Sequence, residues 1–323
     1  MIRFLETAGE CLSIDCGLVW VDELIAEGSA GGLAELASRE PSVRVRVDAS
    51  RQPFALQGWE LLTRDAWRRG DEVVVENACT AGFDLHLRCA RDCAEFTYRW
   101  RPPTRDRVAA RILRSRFHLL ARAVLTQYPV LWWAGTRGRV PLHASACAAG
   151  SSIALVAAAG GIGRSSLLLR EVASGGSATG DNLSVGDGTT VWGLVEPLRI
   201  KDGDGRRMPH GRREMPLPRR VDALMPDRLV VMRRGAALES SLVSCAPEVG
   251  ANLLTAATYM AGELRRYWAF AATLAAGTGV GPPHPAVQAV ASEFAGRLPG
   301  FSLILGRSPG ARLSELVPTL VAA

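Results

Sequence analysis

The sequence contains almost no lysine. Lys201 is its single lysine, so nearly all of the 38 basic residues among the 323 are arginines. A coding bias toward arginine is the simplest explanation, and a position that ordinarily carries lysine can therefore carry arginine in this chain. The formal net charge of +6 is modest. Because no recognisable nucleic-acid-binding module accompanies the arginines, we expect no nucleic-acid partner.

Long apolar runs are also missing from the sequence. No stretch approaches the roughly 18–20 apolar residues that a membrane-spanning helix needs, and the first residues lack the basic and apolar blocks of a secretion signal. The seven cysteines have no paired spacing, which is typical of free thiols in a reducing compartment. These absences predict a cytoplasmic protein without a membrane partner.

Two local clusters leave alternatives open. His86, Cys89 and Cys93 could form part of a metal site, but no fourth ligand is evident and ordinary buried or surface roles are favoured. Between Arg206 and Arg220 several arginines are interspersed with prolines, which predicts a loop. That loop is either a solvated segment or a flap that binds an anion or an acidic peptide over a nucleotide.

Residues 1–104 alternate apolar and polar side chains in short steps separated by turns. This pattern predicts a smaller, mainly antiparallel β domain. Its predicted strands are Cys11–Val19, Val43–Val47, Val73–Val75, Phe83–Leu87 and Glu95–Trp100. Residues 105–135 form a connecting segment, in which helical spacing of apolar residues predicts one amphipathic helix from Arg105 to Tyr128. Trp132 and Trp133 are expected to lie in the core.

From residue 136 to residue 323, strand and helix patterns are mixed, which predicts a second domain of the α/β class. Its predicted strands include Ile153–Ala157, Ser177–Ser184, Thr189–Leu194, Leu229–Met232 and Phe301–Leu305. Its predicted helices, apart from the one discussed next, are Ala246–Met260, Glu263–Ala275, Pro285–Arg297 and Ser308–Leu320. A chain of this length accommodates two such domains.

A glycine-rich turn lies between the predicted strand Ile153–Ala157 and a helical pattern that starts near Ser166. The turn consists of Ala159, Gly160, Gly161, Ile162, Gly163, Arg164, Ser165 and Ser166. Glycines let the backbone fold around an anion, and the start of a helix adds unpaired N–H groups and the positive end of its dipole. This stretch therefore predicts a phosphate-binding loop.

The loop departs at two positions from the usual nucleotide-binding pattern G-x-x-x-x-G-K-[ST]. Ala158 stands where the first glycine is expected, and Arg164 stands where the lysine is expected. Alanine is sterically acceptable there if its φ stays negative. Arginine keeps the positive charge and could grip a phosphate bidentately, but its planar group is larger than an ammonium.

Three segments, in their order along the chain, resemble the HPr kinase/phosphorylase family, and in particular the HPr kinase-related proteins of biosynthetic clusters. They are Leu142-His143-Ala144, the glycine-rich loop, and Gly176–Asn182, which matches a Gly-x-x-x-x-Asp-(Asp/Glu) segment. Val191–Ile200 and Leu229–Arg233 look like later strands of that family. The resemblance implies a P-loop-containing, HPr kinase-like α/β domain over residues 136–323.

The resemblance also implies ATP-dependent transfer of a phosphate to a hydroxyl, on a serine of a peptide or protein or on a small biosynthetic intermediate. The phosphates would be bound by Gly160, Gly161, Ile162, Gly163, Arg164, Ser165 and Ser166. Asp181 would be the catalytic base, with His143 near the transferred phosphate. Ser165, Asp181 and Asn182 would hold Mg²⁺, although Asn182 lacks the charge of the family's second acid. Members often assemble, so a homo-oligomer is also among the expectations.

Two other functions stay open. The absence of the lysine and of one acid fits a catalytically degenerate pseudokinase that binds a nucleotide or a peptide. The other is an unrelated α/β enzyme whose glycine-rich turn binds no nucleotide. A serine-hydrolase elbow is unsupported, because no G-x-S-x-G surrounds Ser165 or Ser166. A dinucleotide site is poorly supported, because the pattern that starts at Gly161 ends on Ser166 instead of glycine.

Overall fold

The computed structural model describes residues 1–201, 205–208 and 211–316. The chain divides into two compact units, each of which contains both helices and strands. The first unit comprises Met1–Gly138, Arg206–Arg212 and Arg266–Pro285, and the second comprises Arg139–Gly205, Arg213–Arg265 and Ala286–Ala323. The protein is therefore of the mixed α/β class, as the sequence predicts. In the described part of the chain, no helix is both long and apolar enough to cross a membrane.

The two units differ from the domains that the sequence predicts, because the chain returns twice to the first unit. In the returning segment Arg266–Pro285, the ring of Tyr267 packs against that of Tyr128, with centroids 5.5 Å apart. In the other returning segment, Arg206 forms an ion pair with Glu27 at 2.5 Å. Contacts between such distant parts of the chain leave no local pattern, so the sequence placed both segments in the second domain.

A nine-stranded sheet is the scaffold of the first unit. Its strands are β1 Ile2–Thr7, β2 Glu10–Cys16, β3 Leu33–Ala34, β4 Val43–Asp48, β5 Glu60–Thr63, β6 Ala66–Arg69, β7 Glu72–Val75, β8 Phe83–Cys89 and β9 Ala94–Trp100. They pair in the order β3-β1-β2-β4-β9-β8-β7-β6-β5, and neighbours are antiparallel except β2–β4 and β4–β9. The mainly antiparallel prediction is confirmed. The predicted strand from Cys11 is wrong beyond Cys16, because a helix begins at Val19.

The helices of the chain differ from prediction mainly in the connecting segment. In order they are α1 Val19–Gly28, α2 Thr104–Ile112, α3 Arg114–Arg122, α4 Tyr128–Thr136, α5 Arg164–Ala173, α6 Pro247–Tyr259, α7 Tyr267–Thr278, α8 Val287–Arg297 and α9 Leu313–Leu316. The single helix predicted from Arg105 to Tyr128 is wrong. Leu113 has a non-helical backbone between α2 and α3, and a π-helical turn over Ala123–Gln127 joins α3 to α4. Trp132 and Trp133 are buried in α4, as predicted.

The second unit contains two sheets and a separate strand pair. Its strands are β10 Val140–Leu142, β11 Ala144–Ala149, β12 Ser152–Ala158, β13 Ser177–Ala178, β14 Ser184–Gly186, β15 Val191–Gly193, β16 Leu198–Ile200, β17 Arg213–Met215, β18 Ala223–Leu224, β19 Arg228–Arg234, β20 Ser241–Ser244 and β21 Gly300–Leu305. The larger sheet has the order β13-β11-β12-β19-β21-β20, and the smaller has β10-β14-β15-β18. Strands β16 and β17 form the pair.

The larger sheet carries a helix on each face. Leu167 and Leu168 of α5 pack with Val230 in one buried cluster. Leu229, which points to the opposite face of β19, lies against Gly250 of α6. Strands β12, β19 and β21 are parallel, so their carboxyl ends meet at one edge of the sheet. The glycine-rich loop leaves β12 at that edge, where ligands bind in open α/β sheets.

Most other elements predicted for residues 136–323 are present with shifted ends. The helix predicted from Glu263 begins at Tyr267, because residues 262–266 form turns. The strand predicted over Ser177–Ser184 is reduced to β13, since bends follow it. Of the predicted helix Ser308–Leu320 the structure contains α9, and residues 317–320 lie outside the described ones.

Candidate functional site

The glycine-rich loop joins the end of β12 to the start of α5. Ala159, Gly160 and Gly161 are exposed, and α5 begins at Arg164 with Gly163 as its N-cap residue. Gly161 and Gly163 have φ of +83° and +124°, which residues with a side chain rarely adopt. A Cβ added at Gly160 or Gly161 would meet no atom within 4 Å. The predicted strand–loop–helix arrangement is confirmed, and both glycines border open space.

The loop and the first turn of α5 present backbone N–H groups that pair with no described residue. Within the loop, the described residues pair the N–H of Ile162 alone, with the carbonyl oxygen of Ala159 at 3.5 Å. The first N–H groups of a helix have no acceptor inside it, and Gly163 has no side chain that could cap them. Leu167 donates to the oxygen of Gly163 at 3.1 Å. Unpaired donors at the positive end of a helix dipole suit an anion.

The side chain of Arg164 is buried, with 6% of the residue exposed. Its Nη1 donates to the backbone oxygen of His143 at 2.6 Å, and its Nη2 donates to that of Asn182 at 3.2 Å. Its Nε is buried and has no partner among the described residues. Burial lowers the pKa of Arg164, and the negative charges of Asp181 and Glu196 oppose this effect. Arg164 thus joins three predicted site segments, and both of its terminal nitrogens bind the protein's own carbonyls.

Asp181, in the bend after β13, contacts the start of α5 through its side chain. Ser165 Oγ donates a hydrogen bond to Asp181 Oδ2 at 2.9 Å. Asp181 Oδ1 is buried and has no partner in the part of the chain that the structure describes. Buried carboxylate oxygens in folded proteins nearly always accept a hydrogen bond. The predicted metal-binding residues Ser165 and Asp181 are therefore brought together, with one carboxylate oxygen available to a ligand.

His143 lies in the bend between β10 and β11, where the chain passes from the smaller to the larger sheet. Its backbone N–H donates to Thr258 Oγ1 at 3.1 Å. Burial and the nearby charge of Arg164 lower the pKa of His143 to about 3, so the imidazole is neutral at pH 7. Its Nδ1 is buried and makes no hydrogen bond to a described residue.

Glu196 is a buried acid of this site that the sequence did not single out. Its Oε1 accepts the backbone N–H groups of Asn182 at 3.1 Å and of Leu183 at 3.0 Å. These two bonds hold the backbone directly after Asp181. The predicted metal ligand Asn182 is therefore fixed through both of its backbone polar groups, since its carbonyl accepts from Arg164.

Arg199 and Glu263 complete the buried charges around Glu196. Arg199 Nη2 lies 3.4 Å from Glu196 Oε2 and 3.1 Å from Glu263 Oε1. Burial raises the pKa of Glu196 to about 7; Arg199 acts against this rise, whereas Glu263 and Asp181 add to it. One signal could have identified Glu196, because it is an acid within the otherwise apolar run 194–198. Glu196 and Arg199 are three residues apart, whereas Glu263 comes from a distant segment, so no single motif links the three.

The residues of the site provide too few ligands to bind Mg²⁺ alone, and would bind it together with the oxygens of a bound phosphate. Among the described residues, no group of three or more His, Cys, Asp and Glu side chains could hold a metal ion. Near the cysteines considered for a metal, His86 Nε2 lies 2.9 Å from Glu72 Oε2. Mg²⁺ is usually bound by one or two carboxylates together with waters and phosphate oxygens. Ser165 and the available oxygen of Asp181 fit that mode.

A separate cavity of about 220 Å³ lies at the other end of β12. It is lined by residues of the turn between β11 and β12, among them Ser151 and Ser152, and by Arg228 and Leu313. None of the predicted site residues lines this cavity. The glycine-rich loop lies at the opposite end of β12, so this cavity is not part of the candidate site.

Comparison with known proteins assigns no family to the chain. No protein-family model matches it, and no curated protein matches it significantly.

Proposed function

We propose that this protein is an ATP-dependent phosphotransferase related to HPr kinase, which transfers phosphate to a hydroxyl. The acceptor would be a serine of a peptide or protein, or a small biosynthetic intermediate. The order of the His143 segment, the glycine-rich loop and the Asp181 segment supports the proposal. In this proposal the second unit is an HPr kinase-like domain with a phosphate-binding loop, and the protein could assemble as a homo-oligomer.

The observation that carries the proposal is a group of three buried polar atoms without partners among the described residues. They are Arg164 Nε, Asp181 Oδ1 and His143 Nδ1. Arg164 donates to the carbonyls of His143 and Asn182. Asp181 precedes Asn182 and accepts from Ser165, the residue after Arg164, so the three atoms belong to one site. Leaving a buried polar group unpaired costs about 1–3 kcal/mol. A bound ligand that pairs these atoms would recover that energy.

The residues have distinct roles in the proposed reaction. The unpaired N–H groups of the loop and of Ser165 and Ser166 bind the phosphates of ATP. Ser165 and Asp181, with Asn182 beside them, hold Mg²⁺, which supplies positive charge against the phosphates. The carboxylate of Asp181 is the base that accepts the proton of the acceptor hydroxyl. The hydroxyl oxygen bonds to the γ-phosphorus, the bond from that phosphorus to the bridging oxygen breaks, and ADP leaves.

Turnover of ATP tests this proposal. We expect the purified protein with Mg²⁺ to convert ATP to ADP, with water or an added serine peptide as acceptor. Asp181→Asn should reduce the rate by about 10²–10⁴-fold, because it removes the base. Asp222→Asn is the matched control, since it makes the same change on an exposed carboxylate of the same unit. No turnover by the wild type, or equal rates for Asp181→Asn and the wild type, would contradict the proposal.

A second candidate is a nucleotide-binding protein without catalysis. Two observations favour it: the terminal nitrogens of Arg164 bind backbone carbonyls, and Asn182 stands where a second acid would bind the metal. This candidate predicts that ATP raises the thermal unfolding midpoint while no ADP forms, and that Arg164→Lys restores no turnover. Absence of any nucleotide-dependent shift would instead favour an α/β protein whose loop binds no nucleotide.

A further inference from the structure

The last residue of β19 extends toward the glycine-rich loop. Side chains two apart on a strand share a face, so Val230, Met232 and Arg234 line one face of β19. Val230 and Met232 belong to the buried cluster that contains Leu167 of α5. Arg234 continues this row beyond the core, at the edge of the sheet where α5 begins.

The guanidinium of Arg234 lies beside the start of α5. Its Nη2 is 3.9 Å from the position that a Cβ on Gly163 would occupy, and Leu305 Cδ1 is 3.3 Å from the same position. Arg234 is exposed, and the described part of the chain provides it with no ion pair. A positive charge that no described residue pairs therefore lies beside the N–H groups of the loop.

The other arginine of the loop is engaged elsewhere. Arg164 is nine-tenths buried and its Nη1 and Nη2 donate to the carbonyls of His143 and Asn182. Each of these two nitrogens donates one of its two N–H groups to a carbonyl, so the protein itself fixes the position of this guanidinium. The unpaired buried atoms Arg164 Nε and Asp181 Oδ1 indicate that a ligand binds at this site. They do not identify the side chain that supplies positive charge to a phosphate at the exposed loop.

We propose that Arg234 is the residue whose charge binds the phosphate chain at the glycine-rich loop, the task that a lysine performs in the usual loop pattern. Arg164 then has a positioning role, because it fixes the start of α5 against the His143 and Asn182 segments. The ligand class is a chain of linked phosphates, as in a nucleoside triphosphate. This inference rests on the proposed function, because it assumes that the loop binds phosphate.

Binding of inorganic tripolyphosphate and of ATP, each with Mg²⁺, tests the inference by calorimetry. We expect Arg234→Ala to weaken both affinities about 10- to 100-fold, the effect of losing one or more charge-assisted hydrogen bonds. Arg234→Lys should retain part of the affinity, because it keeps the charge and loses the second donor nitrogen. Arg233→Ala is the matched control. It removes the same charge from the neighbouring exposed residue, whose side chain points to the other face of β19.

The outcomes separate this inference from the proposed function. If the wild type binds neither ligand, the proposed function fails and the inference fails with it. If the wild type binds ATP and Arg234→Ala binds it equally well, the inference alone is overturned. An equal loss in Arg233→Ala and Arg234→Ala would also overturn it, since net charge would then explain the effect. Thermal unfolding without ligand checks that Arg234→Ala folds as the wild type does.

Discussion

Two buried arginines, one in each unit, differ in how completely their nitrogens are paired. In the first unit, Arg122 is 4% exposed, and its Nε donates to the carbonyl of Leu24 at 3.2 Å while its Nη2 lies 3.3 Å from Glu27 Oε2. In the second unit, Arg164 is 6% exposed, and its Nε has no partner among the described residues. Both arginines bind backbone carbonyls, but only the second leaves a buried donor unused.

Two buried aspartates, one in each unit, also differ in how completely their oxygens are hydrogen-bonded. In the first unit, Asp84 Oδ1 accepts the N–H of Asn77 at 2.9 Å, and its Oδ2 pairs with Arg101. In the second unit, Asp181 Oδ2 accepts from Ser165, and Oδ1 has no partner in the described chain. Complete pairing is what a structural charge needs. Of the charged groups in this comparison, the two that keep an unpaired buried atom, Arg164 and Asp181, both belong to the candidate site in the second unit.

The largest expected effect comes from removing each buried arginine. We expect Arg122→Met to lower stability by about 3–5 kcal/mol, because it deletes two charge-assisted hydrogen bonds. It should leave the increase in unfolding midpoint caused by ATP and Mg²⁺ intact. Arg164→Met should abolish that increase, because it releases the start of α5. Thermal unfolding with and without ligand measures both quantities. If ATP and Mg²⁺ raised the unfolding midpoint of Arg164→Met but not that of Arg122→Met, the assignment of the binding site to the second unit would be contradicted.

The free energy of unfolding should depend on pH through Glu196 and His143, whose pKa values are shifted in opposite directions. The folded-state pKa of Glu196 is about 7 against an ordinary 4.5, so the folded state holds an extra proton between these values and stability from Glu196 falls as the pH rises. The pKa of His143 is about 3 against an ordinary 6.5, so its contribution rises with pH between those values. The two effects oppose each other over most of this range.

Removing the carboxyl group of Glu196 should reveal the opposite effect of His143 on the pH dependence of stability. In Glu196→Gln, stability should rise from pH 4.5 to 7 by about 3 kcal/mol more than in the wild type. Urea unfolding across this range measures the difference. Glu239→Gln, on an exposed residue of the same unit, serves as the control and should follow the wild-type profile. Identical profiles for Glu196→Gln and the wild type would show that Glu196 does not hold a proton in the folded protein.

The smallest expected effect comes from two serines that each donate to a buried carboxylate. Ser42 binds Glu10 in the first unit, and Ser165 binds Asp181 in the second. Changing either serine to alanine should lower stability by about 1 kcal/mol. Only Ser165→Ala should also lose the dependence of ATP binding on Mg²⁺, which a titration of ATP with and without Mg²⁺ measures. Loss of that dependence in Ser42→Ala would contradict the assignment of the site to the second unit.

Local patterns account for the parts of the site that could be predicted. The apolar run of β12 followed by glycines and a helical pattern predicted the loop, because strand, turn and helix are neighbours in sequence. Arg234 was not part of that prediction; it lies on the face of Val230 and Met232 because β19 extends to it. Its approach to Gly163, however, depends on the parallel pairing of β12 with β19, which joins strands far apart in sequence.

The rest of the site depends on contacts that no local pattern records. Glu196 and Arg199 are close in sequence, but Glu263 reaches them from a turn before α7, in a distant part of the chain. The placement of α7 also depends on a contact between distant parts of the chain, because its Tyr267 packs on Tyr128 of the first unit. At the connecting segment, Leu113 fits the apolar spacing of a single helix, yet its backbone breaks the helix there. Long-range packing therefore decided the features that the sequence missed.

Arginine in place of lysine also determines which reagents can detect the loop. Nucleotide reagents that acylate a lysine find none within the glycine-rich loop, because Lys201 is the only lysine in the chain. Dicarbonyl reagents such as phenylglyoxal modify guanidinium groups, and the exposed Arg234 is open to them while the buried Arg164 is shielded. Amine-directed surveys of nucleotide-binding proteins would therefore pass over this loop, and protection of Arg234 by ATP would be visible to guanidinium chemistry.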